Sequence, residues 1–152
     1  MNLEQLGLFG VFLGGAIPWF EAIAVVPAGI VLGLDPVLTV LFASVGNIIT
    51  IAVFAYGGGA LRSWIMSRRL AKGKESESPK FAKAQQAFDK YGIYGMAALG
   101  PILIGTQFAA AAAVAAGVKP LKASVVISAA MVIWATAIAW VVVVLGISVS
   151  EV

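Results

Sequence analysis

The sequence contains no cysteine and no histidine. That excludes disulfides, thiol chemistry and haem or zinc ligation of the usual kinds. Charge is scarce as well, at 11% of 152 residues, and no lysine or arginine precedes Leu34. The basic start of a secretory signal is therefore missing, no small-residue cleavage site follows, and the first residues are expected to belong to the mature fold. Gly57-Gly58-Gly59 lacks the lysine and threonine of a P-loop, and no serine-nucleophile or nucleotide signature occurs elsewhere. An ATP-driven pump is excluded on this chain. Neither enzymatic activity nor a cofactor is expected.

What is present in abundance is apolar side chain, at 61% of residues with a mean hydropathy of +1.02. A soluble domain does not tolerate that composition, so a lipid bilayer must be the solvent. The apolar mass forms two blocks, roughly 6–64 and 93–149. Each is longer than the ~20 residues that cross a hydrocarbon core once, so each must turn back inside or at the membrane.

Seven of the ten basic residues, Arg62, Arg68, Arg69, Lys72, Lys74, Lys80 and Lys83, lie in one stretch from the end of the first block into the segment between the blocks. The positive-inside rule places the loop 67–83 in the cytoplasm of a multi-pass plasma-membrane protein. Recognition of anionic lipid is the alternative use of such a cluster, whereas nucleic acid is not an expected partner. Beyond the loop, Phe81, Ala84, Phe88 and Tyr91 recur at helical spacing, with Lys83, Gln86 and Lys90 on the other side. That pattern predicts an amphipathic helix on the cytoplasmic surface.

Both apolar blocks are interrupted in the same way. The first carries Pro18, Glu21, Pro27, Gly29 and Gly33, then Asp35-Pro36, before a spanning helix expected over about 37–57 that Gly57-Gly58-Gly59 should break. The second carries Gly92, Gly95, Gly100, Pro101 and Gly105 before an alanine run, closes with Gly117-Val118-Lys119-Pro120, and continues as a spanning helix over about 120–147. Proline removes a backbone donor and glycine weakens helix interiors, so straight lipid-facing helices do not carry these sets. Gly33-Leu34-Asp35-Pro36 matches Gly117-Val118-Lys119-Pro120 at an offset of 84 residues, and Pro18 matches Pro101 at 83. With a cytoplasmic centre, the two copies face opposite ways. The expected fold is an all-α integral membrane protein: an inverted repeat (1–59 and 92–152) of re-entrant hairpin plus transmembrane helix. The hairpins span about 14–34 and 93–117, and the cytoplasmic basic loop and amphipathic helix fill 60–91. Incidental prolines in four poor spanning helices are the alternative.

Ile17-Pro18-Trp19-Phe20-Glu21, Val26-Pro27-Ala28-Gly29 and Gly46-Asn47, with Phe88-Asp89-Lys90-Tyr91-Gly92, Gly100-Pro101 and Ala116-Gly117, resemble the small multidrug export protein family, a distant relative of the DedA superfamily. The DedA resemblance implies two facing re-entrant hairpins and movement of undecaprenyl phosphate or other lipids, often driven by the proton-motive force. That wider family carries arginines around the proline of the second hairpin. Here Pro101 is flanked by Ala97, Ala98, Leu99, Ile102, Leu103 and Ile104, which offer a phosphate headgroup no cationic donor.

Glu21 is the one acidic residue deep in an apolar block. A charge at the centre of a membrane helix costs about 2.5–3.5 kcal/mol on insertion scales. Burial favours its protonated form until a cation or water arrives, so Glu21 can alternate between proton and cargo. Capping of broken helix ends is the structural alternative. Asn47, Thr106 and Gln107 are its expected polar company at a midplane site, with Ser44 and Thr50 equally suited to gluing helices together. Trp19 and Phe20 offer rings for an aromatic cation or for packing, Trp64 an interfacial anchor, and Trp134 and Trp140 helix-packing or lipid-facing rings. Pro18, Pro27, Gly29, Gly100, Pro101 and Gly105 are the expected hairpin breaks. The leading reading is a homodimeric secondary transporter exporting an amphipathic or cationic small molecule. A lipid flippase or scramblase, and a non-transporting scaffold with a structural Glu21, remain beside it.

Overall fold

The computed structural model describes residues 3–18, 20–73 and 79–146. Trp19 and the centre of the basic loop, residues 74–78, lie outside the described residues, as do 147–152. Among the described residues all regular structure is helical: α1 (Leu3–Ala16), α2 (Glu21–Val31), α3 (Pro36–Ala71), α4 (Pro79–Leu103), α5 (Thr106–Ala115) and α6 (Pro120–Val144). Gly92, at φ 65° and ψ −170°, divides α4 into 79–91 and 93–103.

Among the described residues two helices are long and apolar enough to cross a membrane, Pro36–Ala60 within α3 and Pro120–Val144, and only 33% of an 18-residue apolar stretch of each is buried against protein. Outward side chains such as Leu41, Ile49 and Val53 on α3, or Ile133, Trp140 and Val144 on α6, are exposed. Apolar surface of that extent requires lipid around it, and the chain is a membrane protein.

The connections into the long helices explain where those helices begin. At the end of α2 the Gly33 amide donates to Ile30 O (2.9 Å) and Leu34 to Gly29 O (3.1 Å). At the end of α5 Gly117 donates to Val114 O (3.0 Å) and Val118 to Ala113 O (3.0 Å). Gly33 and Gly117 sit at φ 85° and 96°, the left-handed closure that glycine adopts at no steric cost. Pro36 and Pro120 then open α3 and α6 at the first helical position, where a missing N–H removes nothing. The Asp35 carboxylate adds a cap, accepting from Leu38 N at 2.8 Å.

The offset of 84 residues extends into the long helices. Thr39, Ala43, Ser44, Asn47, Ile51 and Ala55 are buried on α3, and the residues 84 later, Ala123, Ile127, Ser128, Met131, Ala135 and Ala139, are buried on α6. The same face of each long helix is turned inward, in register with the turns that precede them.

Several expected boundaries differ. The first apolar block starts with a full helix from Leu3, so the first helix pair lies within 3–31, with residues 17, 18 and 20 between the two helices. Pro18 and Gly105 lie in turns, but Pro27 and Gly29 lie inside α2, and Gly100 and Pro101 inside α4. A proline in an apolar helix is tolerated where neighbours accommodate the freed carbonyl, and Gly29 provides room rather than a break, since a Cβ there would come within 2.7 Å of Thr39 Cγ2. Gly57-Gly58-Gly59 does not end α3, which continues to Ala71. Gly58 instead admits Ala111, whose Cβ would lie 2.8 Å from an added methyl. Close packing outweighs the helix penalty of glycine. On the amphipathic helix 79–91, Lys83, Gln86 and Lys90 are exposed and Ala84 is buried, but Tyr91 at its end is exposed.

Contacts divide the chain into two units, residues 1–50 with 129–152, and residues 51–128. Each unit takes the start of one long helix and the end of the other. In the first unit α1 lies against α3 backbone to backbone: a Cβ on Gly15 would strike the Ala43 carbonyl, and one on Gly46 the Phe12 carbonyl. In the second unit Ala109, Ala110, Ala111, Ala112 and Ala113 of α5 are all buried, and Phe54 meets Phe108 edge to face with centroids 5.6 Å apart.

Candidate functional site

The turn between α1 and α2 places Glu21 as the first residue of a short helix. Phe20 N donates to Ile17 O at 3.1 Å and Glu21 N to the same oxygen at 3.3 Å. Phe20, the residue before the helix, contributes no side-chain cap, so the first N–H groups of α2 and the positive end of its dipole stand beside the Glu21 backbone. Glu21 is 6% exposed and is the sole non-glycine residue at positive φ (45°) among those described. Holding a side chain there costs on the order of 1–3 kcal/mol, and such strain persists where the surrounding structure or a function demands it.

The turn between α4 and α5 is built on the same plan with different residues. Ile104 N and Gly105 N both donate to Gly100 O, at 3.0 and 2.8 Å, and Gly105 sits at φ 95°. At the offset of 84, Gly105 is the counterpart of Glu21. Thr106 and Gln107, both 0% exposed, fill the first turn of α5. The Thr106 hydroxyl donates to Gln107 Oε1 at 3.1 Å. Glu21 in one half and Thr106 with Gln107 in the other thus share one structural address, the first turn of a short apolar helix.

Glu21 and Asn47 fall in the first unit, Thr106 and Gln107 in the second. Asn47 is fully buried on α3. Thr50, one turn further, directs its hydroxyl to Asn47 O (3.0 Å) and Gly46 O (3.4 Å) of its own helix. Ser44 (6% exposed) and Ser128 (9% exposed) are buried, and neither hydroxyl has a hydrogen-bond partner among the described residues. The equivalence of these two serines was not visible in their local sequence. Applying the offset of 84 found at the glycine turns would have revealed it.

Charge is divided as sharply as polarity. All ten lysine and arginine residues fall within the second unit and none in the first. Trp64 is exposed with the Arg68 guanidinium 4.5 Å from its ring centroid, the arrangement of an interfacial aromatic beside snorkelling cations. Lys122 Nζ lies 5.7 Å from the Tyr94 ring. The side-chain hydrogen bond from Lys90 to Tyr91 raises the lysine above its ordinary pKa. Phe20 and Trp140 are exposed. No group of acidic residues among those described is placed to hold a metal ion. In the first unit a groove of about 340 Å³ runs between the start of α3 and the end of α6, lined by Pro36, Val37, Val40, Thr136, Ala139, Trp140 and Val143. Its walls are apolar apart from Thr136, whose hydroxyl donates to Val132 O at 2.8 Å.

Compared with known proteins, the chain matches the family model described as "Putative small multi-drug export protein" over residues 21–138, more than three quarters of its length. No curated protein and no solved structure matches it.

Proposed function

This chain belongs to the putative small multi-drug export protein family, and on that premise we propose that it is a proton-coupled secondary exporter of an amphipathic or cationic small molecule. The observation that carries the reading is Glu21, a buried carboxyl at strained backbone at the start of a half-length helix. An α-helix of 11 residues is about 16 Å long, against a hydrocarbon core of ~30 Å. The 10-residue α5 is about 15 Å. Both suit re-entrant hairpins that bring helix N-termini toward the midplane, where secondary transporters bind cargo and coupling ions. Each unit taking the start of one long helix and the end of the other supports oppositely directed repeats, and the confinement of basic residues to the second unit supports a cytoplasmic 67–83 loop. Glu21 then exchanges a proton for a cationic cargo. Asn47, Thr106 and Gln107 supply hydrogen bonds along the route. Two full spans make a thin wall, so the working form is a homodimer in the plasma membrane.

The test is flux in proteoliposomes under an imposed proton gradient, with an aromatic cation such as ethidium as cargo. Wild type should move it and Glu21→Gln, which keeps shape and loses the titratable proton, should not. Undiminished flux in Glu21→Gln would remove the proton-coupling role. The groove at Trp140 favours a second reading, movement of a lipid whose acyl chain lies there, and short-chain fluorescent lipid in the same vesicles checks it. If neither cargo moves while the protein remains folded, the scaffold reading is left.

A further inference from the structure

Helical serines and threonines normally satisfy their hydroxyls on a carbonyl one turn back. Among the described residues six do: Thr39, Thr50, Ser63, Ser67, Ser124 and Thr136. Thr39 shows that even a fully buried hydroxyl on the inward face of α3 takes this route, donating to Asp35 O at 2.7 Å. Ser44 and Ser128 do not, though Val40 O and Ser124 O are the corresponding carbonyls. Both are more than nine-tenths buried, and neither Oγ has a hydrogen-bond partner among the described residues. Helix-to-helix gluing would show itself as a bond to a neighbouring helix, and none is present at these atoms.

Thr106, at the start of α5, also departs from the rule but donates to Gln107 Oε1, and the two hydroxyls left without a partner are one position written twice. Ser44 lies eight residues after Pro36 and Ser128 eight after Pro120, which places each about 12 Å along its helix. Burying an unpaired hydroxyl is unfavourable where alanine would fit. A chance lapse explains one such residue. It does not explain the same lapse at equivalent positions on the inward face of both spanning helices.

We propose that Ser44 and Ser128 are water-contacting positions of the translocation route, one in each repeat, each hydroxyl donating to a water that hydrates the route and accompanies a polar cargo. The first lies in the unit that holds Glu21 and Asn47, the second in the unit that holds Thr106 and Gln107. Each repeat therefore brings a first-turn polar group on its short helix and a hydroxyl on its long helix. The inference rests on the transport reading for the word route, but water access at the two positions can be measured without any cargo.

The chain has no cysteine of its own, so Ser44→Cys and Ser128→Cys each introduce a sole thiol that differs from serine by one atom. Both variants, in vesicles, are reacted with a small membrane-impermeant methanethiosulfonate present on both faces. Ile49→Cys, on the exposed apolar side of α3, is the lipid-facing reference, and Ser67→Cys, exposed beyond the apolar span, is the aqueous one. Both serine positions should react at least tenfold faster than Ile49→Cys. Reaction no faster than Ile49→Cys at either position, with Ser67→Cys labelled, overturns the proposal. Ser44→Ala and Ser128→Ala, which remove a hydroxyl without adding bulk, guard against misfolded thiol variants. Each should keep or raise the melting temperature while lowering flux several-fold, and unchanged flux in both would also overturn it. Loss of proton-driven flux as a wild-type property, with both thiols still labelled, would instead remove the exporter reading and leave the wet positions standing.

Discussion

At the level of single residues, backbone conformation and side-chain chemistry pull against each other at Glu21. Inside a helix alanine is better than glycine by about 1 kcal/mol. At φ 45° the order should reverse, because only glycine occupies that region without a Cβ penalty. Glu21→Gly is therefore expected to melt above Glu21→Ala by an amount equivalent to ~1 kcal/mol, read by thermal unfolding in detergent, while both lose proton-driven flux. Alanine proving the more stable would show that no strain is held there. Gly105, 84 residues further on, is a glycine at positive φ where no side chain is needed. The presence of a glutamate rather than glycine at 21 is thus a cost in stability, one that the proposed exchange of proton for cargo would account for. The carboxyl itself was legible in the sequence, since it stood alone in apolar surroundings. Its backbone conformation was not, because a positive φ is set by the length of the turn and leaves no mark on the residue type.

Among the helices, glycine has two opposite meanings, and one substitution should separate them. Gly46 faces the Phe12 carbonyl so closely that Gly46→Ala must push α1 off α3, an overpacking worth about 1–3 kcal/mol of destabilisation. Gly59 has nothing within 4 Å of an added Cβ, so Gly59→Ala should stabilise α3 by about 0.5–1 kcal/mol. Melting temperatures that move in the same direction for both would contradict this packing. The two cases explain what could be read in advance. Gly33 and Gly117 were recognisable as helix ends because each is followed two residues on by X-Pro, a local signal. Gly57-Gly58-Gly59 gave the same local signal for a break, but Ala111 decides the outcome, and it lies more than fifty positions away in the sequence. Pro27 and Pro101 misled for a related reason, since an apolar environment keeps a helix intact where water would compete for the freed carbonyl.

For the molecule as a whole, the proposed inverted repeat is a statement about sidedness. Leu32 and Ala116 are exposed residues 84 positions apart, at the same point of the two turns. Single cysteines there should be labelled by an impermeant maleimide from opposite faces, Leu32→Cys from outside and Ala116→Cys from inside. Labelling from one face would end the inverted arrangement. The two long spans were readable from composition because hydrocarbon imposes a length that water does not. The short helices were readable only as interruptions, since ten or eleven apolar residues meet no such requirement. Their shortness has an electrical consequence. In the proposed re-entrant arrangement, a helix that reaches only about halfway through the hydrocarbon would let solvent approach the middle of the membrane, and the transmembrane voltage would then drop over the remaining thickness. A cation resting at Glu21 would have crossed a fraction of the field, so a potential of 100 mV would act on it with less than the ~2.3 kcal/mol that a full crossing yields. The interruptions would in this way divide one electrical barrier into two smaller ones, with the carboxyl on the step between them.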